Sequence, residues 1–145
     1  MPALRTLTPE LLAFIEEMRV PGILSTLGLK GEPISSAVWY GIHNGDVVIA
    51  TPAGRNKARN ARNDPRVSFL VDTKERPYRG VAIEGVVTVE DDHELVIMES
   101  IARRYLGPEL PEWIRERYTT SERVILRIRP VRVRPWNIEV PAGKT

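Results

Sequence analysis

A chain of 145 residues, 42% apolar and 28% charged, is sized for one domain with a buried core and is too apolar for disorder. It contains no cysteine, which excludes disulfides, thiolate nucleophiles and iron–sulfur ligation, and no apolar run of membrane-spanning length. A net charge of +2 is too mild to signal nucleic acid. The opening "MPALRTLTPELLAFIEEM" carries acids inside its apolar stretch and lacks a signal-peptide core, so a cytoplasmic protein with one domain over residues 1–145 is expected.

In chain order, Thr8 can N-cap a first helix, with Pro9 in the first turn and Leu11, Ile15 and Met18 on one apolar stripe. "VPG" at 20–22 ends it, and the period then changes from helical to two. "GILSTLGL" and "PISSAVWYGI" read as strands joined by "KGEP". "HNGD" at 43–46 is a hairpin signal, because Asn-Gly readily takes positive φ, and "DVVIAT" is the third strand. A short helix is predicted from Arg55 to about Arg62, broken by "NDP" at 63–65. "RVSFLVD" and "VAIEGVVTV" alternate again. Helical sequence follows from about Asp92 to Tyr105, with a shorter helix near Glu109–Tyr118. In the last strand, "RVILRIRPVRVRPW", Arg127 and Arg129 are in phase, but after Pro130 the polar phase shifts to Arg132 and Arg134. A one-residue slip in a period-two pattern predicts a bulge or edge. Six strands with few helices give a mainly β fold with peripheral helices, read as a small antiparallel barrel.

No nucleophile–base constellation, P-loop or dinucleotide fingerprint is present. His43 and His93 stand fifty residues apart, in no metal-ligand spacing, so no metal is expected. If the chain is an enzyme, a cofactor supplies the reactive chemistry.

The stretch "GRNKARNARNDPRV" at 54–67 holds five cations (Arg55, Lys57, Arg59, Arg62, Arg66) and one acid, Asp64. Five minus one leaves +4 locally, more than the whole chain carries. A solvated helix is one explanation. The other is an anion site: Thr51, free backbone N–H groups and a helix N-terminus converge directly after a strand, with Arg55 and Lys57 flanking the entrance. Arg59 and Arg62, one and two turns on, are expected to face solvent.

At these residues the chain resembles a known family. "GEPISSAVWY", "VVIAT", "GRNKARNARNDPRVSFLVD" and "PYRGVAIEG", in that order between Gly22 and Trp136, are similar to the pyridoxamine 5′-phosphate oxidase-like FMN-binding split barrels, and most to their short branch known for the deazaflavin coenzyme F420. The resemblance implies a six-stranded antiparallel split β-barrel, a homodimer with cofactor grooves at the subunit interface, and an oxidoreductase acting by hydride transfer on a small-molecule substrate. Coenzyme F420 is favoured over FMN. It implies that Thr51, Arg55 and Lys57 hold the cofactor phosphate. Ser35, Ser36, Val38 and Trp39 would lie along the ring system, with Ile49 and Ala50 beside them. Tyr78 and Arg79 would reach the cofactor from the partner subunit, and Trp136 would approach the same groove. Members that oxidise pyridoxamine phosphate carry Arg and His after the last strand. The nine residues after Trp136 contain no His, so vitamin B6 oxidation is not expected. Two alternatives stand beside this reading: a non-catalytic flavin carrier, and a basic nucleic-acid-binding barrel using 55–66 and Arg127–Arg134. Few aromatics are placed to stack bases beside those cations, so no nucleic acid and no membrane partner are expected.

Overall fold

Thr8 opens the first helix as its hydroxyl predicts. In the computed structural model, which describes residues 4–141, Thr8 Oγ1 accepts a hydrogen bond from Leu11 N at 3.3 Å, and α1 runs Pro9–Glu17. Leu11 and Ile15 are fully buried beneath it. The chain continues through β1 (Gly22–Leu27), β2 (Pro33–Val38), β3 (Gly41–His43) and β4 (Asp46–Pro52) to α2 (Asn56–Asn63). Then come β5 (Arg66–Asp72), β6 (Gly80–Asp91), α3 (Val96–Leu106), α4 (Glu112–Thr119) and β7 (Arg123–Trp136). Every strand pair is antiparallel, in one sheet of order β2-β1-β5-β6-β7-β4-β3. No helix of the described residues is long and apolar enough to cross a membrane.

The sheet has seven strands where the sequence pattern predicts six, because "PISSAVWYGI" breaks at Trp39–Tyr40. β2 leaves β1 at the pair Gly22–Val38, and β3 joins β4 at the pair Gly41–Val48. These two strands are the opposite edges of the sheet order, yet only two residues separate them in sequence. The sheet must therefore curl until its edges meet, giving an open, split barrel. Its interior is one apolar core that includes Val47, Ile49, Phe69, Ile83, Leu126 and Ile128 together with Leu11 and Ile15 of α1. Across the wall, Val48 and Ile125 pack with Ile101 of α3 in a smaller outer cluster.

What holds the break is a buried polar cluster. Tyr40 is fully buried, and its hydroxyl, with a single proton to share, lies within hydrogen-bond distance of the carbonyls of Ile15 (2.8 Å) and Met18 (2.5 Å) at the end of α1. Arg104 of α3 donates to the same two carbonyls at 2.7 Å and stacks over the Tyr40 ring at 4.8 Å. Helix-terminal carbonyls that would otherwise be orphaned in the interior are thereby satisfied. Burial is the main cause that pushes the Tyr40 phenol up to about 12, so it stays a donor at every physiological pH.

The phase slip at Pro130 corresponds to a bulge: Glu84 faces Arg132 and Gly85 faces Pro130, leaving Val131 unpaired. A Cβ on Gly85 would sit 2.6 Å from the Arg129 carbonyl, so the bulge needs glycine there. The helix predicted from Asp92 begins only at Val96. A 3-10 turn, His93–Leu95, intervenes, and Glu94 and Leu95 take positive φ. Asp92 still serves the helix, its carboxylate accepting from Ile97 N at 2.9 Å and Met98 N at 2.8 Å. α4 starts later than predicted, with Pro111 fixing its boundary.

The arginines of β7 do not form a uniform basic face. Arg127 is buried and bonded to Glu90 (2.9 Å), to the His43 carbonyl (2.9 Å) and to Asp46 (3.4 Å), and Arg134 pairs with Glu84 at 3.0 Å. This commitment of charge weakens the nucleic-acid alternative. Burial alone would raise the Glu90 carboxyl, but its bonds to Arg127 and Thr88, with the Arg127 and Arg129 charges, hold it below its ordinary value. A depressed carboxyl contributes stability that is present above its unfolded value and lost as pH falls through the folded one. Arg127→Met is expected to lower stability by about 2 kcal/mol, since both carboxylates remain partly hydrated. Acid melts should show that the variant has also lost this part of the low-pH destabilisation. An unchanged acid profile would mean that the pair contributes nothing.

Candidate functional site

β4 and α2 build the site from both sides of a tight connection. β4 carries Thr51 into the wall, where it is 2% exposed and its Oγ1 has no hydrogen-bond partner. The chain turns at once, with Arg55 N donating to the Pro52 carbonyl at 3.1 Å, and enters α2 with no side chain capping its N-terminus. An orphaned buried hydroxyl thus stands beside an uncapped helix start. Arg55 and Lys57 project at that start.

A cavity of about 220 Å³ opens here. Its apolar walls are Ala37, Val38 and Trp39 at the strand break, Ile49 and Ala50 on β4, and Met98, Ile101 and Ala102 on α3. Thr51, Arg55 and Lys57 lie at its polar end, joined by Arg117 and Tyr118 of α4 and Arg123 of β7. Trp39 is held by Tyr105, whose ring stacks on it at 4.8 Å and 9° and whose hydroxyl donates to the Val20 carbonyl at 3.1 Å. The Arg123 guanidinium lies 4.1 Å over the Tyr118 ring.

The electrostatics have one sign. The cavity lining includes no acid, and among the described residues no ion pair joins Arg55, Lys57, Arg117 or Arg123 to a carboxylate. Burial, then the Arg55 charge, pull the Lys57 ammonium below its ordinary value. Burial is the main cause that lowers Arg123 as well; Tyr118 opposes it, and the Arg117 and Arg55 charges add to the lowering. Such a set is held at a cost that an anion would relieve.

Of the residues implied by the resemblance, the structure brings seven to this cavity: Val38, Trp39, Ile49, Ala50, Thr51, Arg55 and Lys57. Ser36 lines an adjoining polar cleft of about 350 Å³ that shares Arg55 and Lys57 and includes Thr26 and Asn60. Ser35 lines neither, and its hydroxyl lies 2.9 Å from that of Ser25. Tyr78, Arg79 and Trp136 are elsewhere in the chain. Arg79 sits 5.2 Å over the Phe14 ring, the Tyr78 carbonyl accepts from Asn137 at 2.6 Å, and Trp136 covers Gly80. Arg59 and Arg62 are exposed, as expected, and the Arg62 guanidinium also reaches back to the Ala53 carbonyl at 2.8 Å, bracing the turn before α2. Arg117, Tyr118 and Arg123 were not anticipated. Arg123 reaches the site because it pairs with Pro52, next to Thr51, across β4–β7. That signal requires the strand pairing to be known.

The chain matches the pyridoxamine 5′-phosphate oxidase family model over residues 7–137 and belongs to that family. It is 28% identical to a conserved hypothetical protein of Mycobacterium tuberculosis, with a TM-score of 0.78 and all of both chains covered. It is 25% identical to an F420 reductase, with a TM-score of 0.71, covering 88% of this chain and 98% of that one. A haem-binding protein of Mycobacterium smegmatis is also 25% identical, with a TM-score of 0.60, over 81% of this chain but 48% of its own. No curated protein matches the chain.

The depressed Lys57 value has a measurable consequence. Sulfate keeps its charge across the alkaline range, so its affinity for the wild-type cavity should fall as pH rises through that value. Lys57→Arg should hold affinity constant over the same range. Calorimetric titration at several pH values checks this. An equal fall in both proteins would take Lys57 out of the site.

Proposed function

We propose that the chain is a flavin-type oxidoreductase whose cofactor is coenzyme F420 in preference to FMN, with Thr51, Arg55 and Lys57 seating the cofactor phosphate. One observation carries this reading: a buried, unpartnered Thr51 hydroxyl and two unpaired cations close one end of a cavity whose other walls are apolar. That donor set fits a phosphate ester attached to a flat apolar ring system. The family typically binds flavin, and the F420 reductase relative favours the deazaflavin. When bound, the cofactor would supply the hydride chemistry.

The chain's own residues would bind and orient it. Arg55 offers a planar fork and Lys57 a compact charge to the phosphate oxygens. Val38, Ile49 and Ala50 would exclude water from the ring, and Trp39, fixed by Tyr105, would set its plane. No side chain of the cavity is required as an obligatory acid or base. The substrate would be a small organic molecule admitted beside the ring. Neither histidine lines the cavity: His43 Nδ1 lies 2.9 Å from Arg127 Nη2, and His93 is exposed.

The cofactor-binding unit in this reading is a homodimer. Trp136 and Arg123 occupy opposite ends of the 14-residue β7, which at about 3.3 Å per residue runs roughly 40 Å. One chain cannot bring Tyr78, Arg79 and Trp136 to the cavity at Arg123, whereas a twofold partner can. Tyr78 (51% exposed) and Trp136 (36%) are free in the single chain to do so.

Parallel titrations with the deazaflavin and with FMN, read by absorbance and fluorescence, test the reading. Lys57→Ala should weaken the preferred cofactor by roughly one to two orders of magnitude, while Arg59→Ala, on the exposed face of α2, should leave it unchanged. Because Lys57 is held below its unfolded value, its charge opposes folding at neutral pH, so the variant's melting temperature should stay level or rise. Equal losses at 57 and 59 would indicate a diffuse field and no defined site. Light scattering should give twice the 16.4 kDa chain mass, and a monomer at micromolar concentration would remove the interfacial site.

A further inference from the structure

The cavity of about 220 Å³ is small for what its lining invites, since pockets that enclose a cofactor-sized ligand hold roughly 300–1,000 Å³. A wall must give way to admit one, and most of the walls are fixed. Ile49, Ala50 and Thr51 lie in the β4–β7 ladder. α3 is held along its length: Asp92 caps its start, Ile101 packs on Val48 and Ile125, and Arg104 is bonded to the end of α1. α4 has no such anchorage. Ile114 is its one buried residue among those described, and no side chain caps its start at Pro111. Thr119 and Thr120 turn their hydroxyls back onto α4's own carbonyls. Among the described residues its one ion pair to another element joins Arg115 to Glu99 of α3 at 2.9 Å, and the Arg115 side chain is 73% exposed. Pairs so exposed contribute little. The segment is nevertheless pinned at both ends. Gly107 N donates to the Arg103 carbonyl at 2.9 Å, and the Glu122 carbonyl accepts from Ala53 N at 2.8 Å, just past Thr51. Near that second pin Tyr118 meets the Arg123 guanidinium at 4.1 Å and closes the polar end of the cavity.

We propose that α4 is a lid over the cavity. The strap from Gly107 to Glu122 lifts to admit the cofactor and closes behind it, with Ile114 as the latch and the Arg115–Glu99 pair as a weaker second tie. This rests on reading the cavity as the cofactor's seat, and it deepens that reading by saying how the seat is filled and emptied. Gly107 suits a hinge: its φ is +101°, and no atom lies within 4 Å of where a Cβ would stand. Closure removes water from the phosphate end and so strengthens the charge contacts there. Because the latch is made in the free and the bound protein alike, it governs entry and exit rates more than affinity.

The test measures amide hydrogen exchange on the full chain, free and with FMN or the deazaflavin, and binding rates by stopped flow. In the free protein residues 112–119 should exchange at least about ten-fold faster than α3, and the cofactor should slow them at least about ten-fold. Ile114→Ala should speed their exchange further and raise the association and dissociation rates together by roughly five-fold, leaving Kd within about two-fold. Arg115→Gln, on the exposed face of α4, should do the same by about two-fold, and it keeps the test decisive if the Ile114 variant misfolds. A side chain that acted only by touching the ligand would raise dissociation alone. Exchange of 112–119 as slow as that of α3, protection unchanged by cofactor, or variants that leave both rates unchanged or raise dissociation alone would overturn the lid. If neither cofactor binds, the cofactor reading falls, and exchange of 112–119 in the free protein and in Ile114→Ala still decides whether α4 opens.

Discussion

The hydrogen bonds from Tyr40 and Arg104 to the Ile15 and Met18 carbonyls are the constraint on which the rest of the structure depends. They fix the two-residue corner that joins the opposite edges of the sheet, and so decide that the sheet curls instead of lying open. The same corner places Trp39 in the cavity wall. The helix that supplies Arg104 also supplies Tyr105 against Trp39 and Met98, Ile101 and Ala102 as the facing wall. Fold closure and cavity shape are therefore one arrangement. A change that loosens the corner acts on both, because a buried polar cluster left partly satisfied costs more than it contributed when complete.

Charge is distributed by the same logic in reverse. Where the barrel needs an arginine for structure, as at Arg127, the cation is surrounded by Glu90, Asp46 and a carbonyl. At the cavity four cations stand with no carboxylate among the described residues. Holding Lys57 partly buried beside Arg55 works against stability, and natural chains carry such costs mainly where a ligand offsets them. The contrast between the paired and unpaired arginines argues for an anion site more strongly than the count of basic residues does.

Much of this was legible in the sequence. The Thr8 cap, the Asn-Gly hairpin, the helix from Arg55 and the bulge announced by the phase slip at Pro130 all rest on local chemistry, and local chemistry is what a sequence displays. The break at Trp39–Tyr40 was not legible, because "AVWYGI" continues the alternation and only a tertiary bond from α1 and α3 interrupts it. The late start of α3 was hidden for a related reason: Asp92 caps from beyond two left-handed residues whose types do not advertise positive φ. At the cavity, Thr51, Arg55 and Lys57 are close in sequence and could be read together. Arg123 arrives through β4–β7 pairing across some seventy residues, and Arg117 and Tyr118 come from the helix just before it, which no motif spacing reveals.

The central claim is that the end of β4 and the start of α2 seat a cofactor phosphate. A crystal structure of the chain with the deazaflavin or FMN bound tests it most directly. The account predicts the phosphate oxygens within hydrogen-bond distance, about 2.7–3.2 Å, of Thr51 Oγ1 and Lys57 Nζ, with the ring against Val38, Trp39 and Ala50. Phosphate density placed elsewhere, with Thr51 Oγ1 still unpartnered, would contradict it.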